Sequence, residues 1–93
     1  MSAAVIRYQT KPEAADENQR LIEKVFAELA TAALPDLTYT SFRLDDGVTF
    51  VHVADGGGLT DLAAFQEFQR TLPDRLAVQP VREDATRIGS YTG

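Results

Sequence analysis

The sequence predicts an α+β domain of ferredoxin-like architecture: a four-stranded antiparallel sheet with two helices on one face. Three observations lead there. Two helical stripes alternate with β-rich runs in the order β-α-β-β-α-β, the split βαβ arrangement. The tripeptide "DDG" joins the two central runs, "LTYTSFRL" and "VTFVHVA", as a tight hairpin. The second of these runs carries apolar side chains on both faces, whereas a sheet with one solvated side alternates apolar and polar residues.

"AAVIRYQT", residues 3–10, is β-branched and aromatic enough for a first strand. Pro12 suits the first turn of a helix, where its missing N–H costs nothing. From residue 13 to 33 the spacing is helical. Ile22, Val25, Phe26, Leu29 and Ala33 share one face, and Glu17, Arg20, Glu23, Lys24 and Glu28 take the others. Pro35 prevents continuation. Residues 37–44 and 48–54 read as the second and third strands. "DGGG", residues 55–58, is a flexible connector; with no lysine after it, it lacks the context of a phosphate loop. Thr60 or Asp61 caps a second helix whose stripe is Leu62, Phe65, Phe68 and Leu72. After Pro73, "AVQPVRED" reads as irregular, and "ATRIGSYTG" as a last strand carrying Ile88 and Tyr91. One domain, residues 1–93, is expected.

The hairpin decides which side chains face the helices. With Asp45 and Asp46 in a type I turn and Gly47 as the bulge, Leu44 pairs with Val48, Phe42 with Phe50, and Thr40 with His52. Thr40, Phe42, Leu44, Val48, Phe50 and His52 then lie under the helices. Tyr39, Ser41, Arg43, Thr49, Val51 and Val53 take the opposite face. A two-residue turn at Asp46-Gly47 would put Arg43 beside Phe50 instead. The three-residue loop is preferred because it gives the helices one coherent apolar face. The other face needs a cover, and the simplest is the same sheet of a second copy. The expected assembly is a homodimer with Tyr39, Arg43, Val51 and Val53 at its interface.

Composition narrows the function classes. The formal net charge is -5 and the nine basic residues are scattered, which argues against a nucleic-acid partner, since that needs clustered Lys and Arg. Without cysteine there is no disulfide framework, thiolate nucleophile or cysteine-ligated zinc. No apolar stretch approaches transmembrane length and no leader pattern opens the chain; the expectation is no membrane and a cytoplasmic address. A single histidine, His52, with no spaced His, Asp or Glu partner makes a poor metal-ligand set.

The chain resembles the dimeric α/β-barrel superfamily, and within it the small proteins of the antibiotic biosynthesis monooxygenase type. The resemblance spans nearly the whole chain. It rests on the strand order, on "PDLTYTSFRLDDGVTFVHVAD" over the hairpin, on "LAAFQEFQ" at the second helix and on the closing "RIGSY". It implies a homodimeric barrel with a pocket in each subunit between sheet and helices. It also implies, for some members, oxidation of phenolic or quinol substrates by molecular oxygen with no metal or flavin, and for others haem degradation. This chain departs from the active members in having no tryptophan, its one asparagine is Asn18 on the first helix, and Ala54 and Asp55 stand near where the aromatic would fall. The Asn, Trp and His set of the haem-degrading members is therefore absent.

His52 is the expected catalytic residue, a general base or hydrogen-bond donor toward a phenol, because imidazole titrates near neutral pH. Phe42, Phe50, Phe65 and Phe68 are the expected pocket lining. The function these features imply is a cofactor-independent monooxygenase acting on a small quinol or phenolic compound. The alternative is a non-catalytic homodimeric module that binds a small hydrophobic ligand or serves only as a structural domain.

Overall fold

The β-rich runs pair into one antiparallel sheet, and two amphipathic helices bury their stripes against one side of it. The computed structural model describes residues 2–93. Its strands are β1 (Ser2–Thr10), β2 (Thr38–Arg43), β3 (Thr49–Asp55) and β4 (Leu76–Thr86), and its helices are α1 (Ala15–Ala32) and α2 (Ala63–Thr71). Strand order is β2-β3-β1-β4, with every neighbouring pair antiparallel. This is the ferredoxin-like arrangement the sequence predicts.

Local chemistry sets the ends of the helices. A 3₁₀ turn with Pro12 at its start leads into α1. Ala33 then leaves the helix at φ 52°, its N–H returning to the Leu29 carbonyl at 3.0 Å, and Pro35 follows. The start of α2 corrects the expected cap. Thr60 and Asp61 lie in a short 3₁₀ turn, and the free N–H groups of Ala63 and Ala64 are taken by the Glu28 carboxylate of α1, at 3.3 and 2.8 Å. A carboxylate at a helix N-terminus satisfies its orphan donors and its dipole together. Glu28 thus locks the two helices to each other rather than only solvating a surface.

Two further expectations are corrected. The last strand is Leu76–Thr86, upstream of the predicted segment, and Ile88 and Tyr91 lie beyond it at 99% and 93% exposure. Pro80 and the charges around it disguise this strand. It is an edge strand, paired only with β1, and its register shifts opposite Tyr8, between the pairs Arg7–Val81 and Gln9–Val78. Pro80 sits in that bulge, where no ladder hydrogen bond is required of it.

The hairpin is also one residue longer than expected. Leu44 N–H bonds to the Thr49 carbonyl at 2.8 Å, leaving residues 45–48 as the loop. The Asp46 carboxylate accepts from the N–H groups of Val48 and Thr49, at 2.9 and 2.8 Å, and from the Thr49 hydroxyl. This side-chain-to-backbone turn recruits Val48 into the loop, while Gly47 at φ 79° completes it. Pairing becomes Arg43–Phe50, Phe42–Val51, Ser41–His52 and Thr40–Val53. A one-residue slip exchanges the faces of a strand. Tyr39 and Arg43 therefore lie on the helix side and not at the open face where a dimer interface was expected. Phe42 is on the open face, 52% exposed, and does not border the space around His52.

The core holds Tyr8, Leu21, Ile22, Val25, Phe50, Phe65 and Phe68. On the opposite side of the sheet Val5, Val51 and Val53 are only half-buried, and Phe42, Val78 and Val81 are at least half exposed. Among the described residues no helix is long and apolar enough to cross a membrane.

The loop after β3 passes close to the end of α1. A Cβ on Gly56, at φ 103°, would stand 2.0 Å from the Asp36 carbonyl oxygen, whereas one on Gly57 would meet nothing within 4 Å. Gly56→Ala is expected to lower stability by roughly 1–3 kcal/mol in urea denaturation, with Gly57→Ala close to wild type. Equal midpoints for the two variants would contradict the close approach.

Candidate functional site

A chain of buried polar side chains crosses the core. It starts at Arg75, which follows α2 and is 5% exposed. Its guanidinium donates to the Asn18 side-chain oxygen at 2.9 Å, to the Thr71 hydroxyl at 2.6 Å and to the Phe68 carbonyl at 3.0 Å. It also lies 5.3 Å from the centre of the Phe68 ring, a favourable cation–π placement. Asn18, on α1 and fully buried, donates its amide to the Tyr8 hydroxyl at 3.0 Å. Tyr8, on β1, meets His52 Nε2 at 2.7 Å. On the other edge of the imidazole, Nδ1 lies 2.8 Å from both the Tyr39 and the Ser41 hydroxyls of β2.

Strand register assembles this arrangement. His52 pairs with Ile6 of β1 and Ser41 of β2, so Tyr8 and Tyr39 flank it on the helix side. The three rings stack nearly parallel, at 5.4 Å for Tyr8 and 5.9 Å for Tyr39. Phe68 tilts over His52 at 5.7 Å, and Phe26 stacks on the far side of Tyr39 at 5.1 Å. Arg43 does a different task. It reaches over Phe50 to Asp16 and Gln19 of α1, at 3.0 and 2.8 Å, and fastens the hairpin to that helix.

Burial sets the protonation states. Desolvation pulls the His52 pKa from 6.5 down to about 4, so the ring is neutral at pH 7. Burial raises the phenols of Tyr8 and Tyr39, the latter opposed by a hydrogen bond from Ser41. Both nitrogens of His52 are engaged, so it has no lone pair free to take a proton directly from a ligand.

Above this polar floor lies a chamber of about 240 Å³ between sheet and helices. Its walls are apolar, formed mainly by Ile6, Ala54, Leu59, Phe65, Phe68 and Leu72. Polar groups occur only at the floor, on Tyr8, Tyr39 and His52, and at the exposed residues Gln69 and Arg82. An outer cavity of about 380 Å³, bordered by the Gly56–Gly58 loop and Asp84, shares Ile6, Phe65, Gln69 and Arg82 with it. A surface groove of about 400 Å³ lies beyond Tyr39, lined otherwise by apolar residues of α1 and of the connection to β2, Pro35 among them. Among the described residues no three His, Cys, Asp or Glu side chains come together as a metal site.

Of the residues singled out in the sequence, His52, Phe65 and Phe68 border the chamber, and Phe50 packs in the core beside Tyr8 at 5.8 Å. Asn18 and Arg75 were missed. The bond that joins them spans 57 residues of the chain, and no local spacing signals it.

Comparison of the fold with solved structures gives close matches over nearly the whole chain. A candidate antibiotic biosynthesis monooxygenase from Nitrosomonas europaea superposes with a TM-score of 0.80 at 11% identity, covering 96% of this chain and 100% of that one. A second antibiotic biosynthesis monooxygenase gives 0.76 at 14% identity, with the same coverage of 96% and 100%. The chain has the antibiotic biosynthesis monooxygenase fold. Rv0793 from Mycobacterium tuberculosis shares it, at a TM-score of 0.75 and 12% identity over 98% of both chains. No protein-family model matches the sequence, and no curated protein does. Within this fold the present chain builds its polar floor from tyrosines and one histidine, with no tryptophan anywhere.

The depressed pKa of His52 makes stability pH-dependent in a stated window. Between pH 6.5 and about 4 the unfolded chain binds a proton at His52 that the folded chain does not, so stability rises with pH there. The contribution is complete above pH 6.5 and is lost as pH falls to about 4, a change of roughly 3 kcal/mol. Urea midpoints at pH 7 and 4.5 should therefore fall further apart for wild type than for His52→Gln. An imidazole resonance titrating near its ordinary value in the folded protein would contradict this.

Proposed function

We propose that this chain is a cofactor-independent oxygenase acting on a small aromatic compound with an ionisable ring hydroxyl, a phenol or quinol, bound in the chamber above His52. The observation that carries this reading is the chamber itself: an apolar space of about 240 Å³ whose inner polar groups, Tyr8, Tyr39 and His52, converge at one end. Ligand pockets characteristically combine apolar walls with a few convergent polar groups. The likeness to monooxygenase-type structures supports the same reading.

The chemistry needs no outside reductant. An electron-rich phenolate hands one electron to O₂, giving a phenoxyl radical and superoxide, which join through a carbon–oxygen bond. The ring hydrogen and the phenolic hydrogen leave with the second oxygen atom as water, and the ring becomes a quinone. The substrate supplies all four electrons that O₂ takes up. The chain's part is to bind and orient the ring, keep water from the radical pair, and hold the phenolic oxygen at the polar floor around His52.

A second reading rests on the missing tryptophan: a non-catalytic homodimeric module that binds a small hydrophobic ligand in the same chamber. Oxygen uptake separates the two. Screened over quinols and phenols of one to three rings, wild type should consume O₂ with at least one compound. His52→Ala, which removes the residue that holds the polar floor in place, should lose on the order of 10²-fold in rate while remaining folded. Binding without uptake by any compound would favour the module, and uptake unaffected by His52→Ala would remove His52 from the reaction.

Both readings use a homodimer packed through the open sheet face. The support is apolar area left on that face by Val5, Phe42, Val51, Val53 and Val81, more than a solvated antiparallel face needs. Light scattering at micromolar concentration should give twice the 10.2 kDa chain mass, and Phe42→Asp should shift it toward the monomer. A wild-type monomer under those conditions would overturn the dimer.

A further inference from the structure

Counting protons along the buried polar chain fixes the direction of each hydrogen bond from Arg75 as far as His52 Nδ1. A guanidinium only donates, so the Asn18 oxygen must face Arg75 and its amide N–H must face Tyr8. The Tyr8 oxygen therefore accepts from Asn18, and its own proton needs a buried acceptor. His52 Nε2, at 2.7 Å, is the one within reach among the described residues. A neutral imidazole that accepts at Nε2 carries its proton at Nδ1, and that proton points at the Tyr39 and Ser41 oxygens, each at 2.8 Å. Ser41 stands beside Tyr39 and its hydroxyl opposes the rise of the Tyr39 phenol.

Every donor thus points the same way, from the buried cation of Arg75 toward Tyr39. The Tyr39 oxygen is an acceptor within this chain, and its own O–H proton turns either to the Ser41 oxygen beside it or into the chamber, where a ligand oxygen competes with Ser41 for it. Tyr39 also lines the chamber. Donors fixed in advance and aimed into a water-poor space favour negative charge on whatever oxygen meets them.

We propose that the Tyr39 hydroxyl is the hydrogen-bond donor that receives the ligand's oxygen in the chamber, with His52 a positioning residue behind it, and that the oxygen it selects is anionic, a phenolate or an enolate. This rests on the chamber being the ligand site, as the oxygenase reading holds, but not on turnover. It moves the contact with the substrate from His52, which the sequence points to, onto Tyr39. It also gives the oxygenase its electron donor, since the form held by Tyr39 is the phenolate that reduces O₂.

4-Nitrophenol tests this, because its anion is coloured and reports its own ionisation when bound. Tyr39→Phe keeps the ring and its stacking on Phe26 and removes only the hydroxyl. The bound probe should ionise about one pH unit lower in wild type than in Tyr39→Phe, a tenfold change in its ionisation constant. His52→Ala should raise the probe's pKa in the wild-type background and add nothing in the Tyr39→Phe background, as a double-mutant cycle resolves. Circular dichroism establishes that each variant is folded, and should His52→Ala fail to fold, Tyr39→Phe alone decides the contact.

Equal probe ionisation in wild type and Tyr39→Phe would overturn the proposal, as would failure of wild type to bind the probe. So would a shift that survives Tyr39→Phe and disappears in Arg82→Gln, which would put the anion at Arg82 instead. A further shift on removing His52 from Tyr39→Phe would mean that His52 touches the ligand itself. If the probe behaves as expected and no compound supports O₂ uptake, the oxygenase reading fails and the Tyr39 contact stands.

Discussion

A guanidinium buried without a carboxylate partner governs the interior of this protein. Arg75 sits in the core between α2 and β4, and burial penalises its charge. Compensation comes from three acceptors, the Asn18 oxygen, the Thr71 hydroxyl and the Phe68 carbonyl, from the face of the Phe68 ring, and from the more distant charges of Glu17 and Asp74. That demand propagates. Once Asn18 turns its oxygen to Arg75, Tyr8 must accept its amide, and His52 must accept from Tyr8. One cation therefore orders side chains on β1, β2, β3 and α1.

Such a network is costly if any member fails, because a half-satisfied buried polar group loses its water and gains nothing. Its value lies in uniqueness. An apolar core tolerates alternative packings, but a polar chain that touches four separate elements is satisfied in a single register. The slip between the expected and the observed hairpin shows what is at stake. In the expected register Thr40 would stand opposite His52, and neither Tyr39 nor Ser41 would reach Nδ1.

The fold was legible because helical and β periodicity are local signals, strong in residues 13–33 and across the central hairpin. The misread parts are those where one residue's tertiary role overrides its local meaning. Pro80 argues against a strand until it is placed in an edge bulge. Asp46 reads as an ordinary turn residue until its carboxylate is seen to gather the N–H groups of Val48 and Thr49, adding a residue to the loop. Of the site, His52 stood out as the only histidine, while Tyr39 was read onto the opposite face by the hairpin register and Tyr8 carried no signal beyond its place in the first strand. Asn18 and Arg75 were not legible. On a helix face and after a proline turn they look like ordinary surface residues, and only the folded topology brings them together.

The irregularity of β4 also decides how copies of this chain can meet. A sheet has two kinds of boundary, its faces and its lateral edges, and an exposed edge invites open-ended strand addition. Here one lateral edge is β4, broken by two register shifts, with a proline that offers no N–H and a run of charge at Arg82, Glu83 and Asp84. The other, β2, is only six residues long. Ribbon-like growth is discouraged on both sides, while the apolar face between them stays open. Were copies of this chain to associate, these edges would favour a closed pair over a fibre, through the same strand that a reader of the sequence alone takes for a loop.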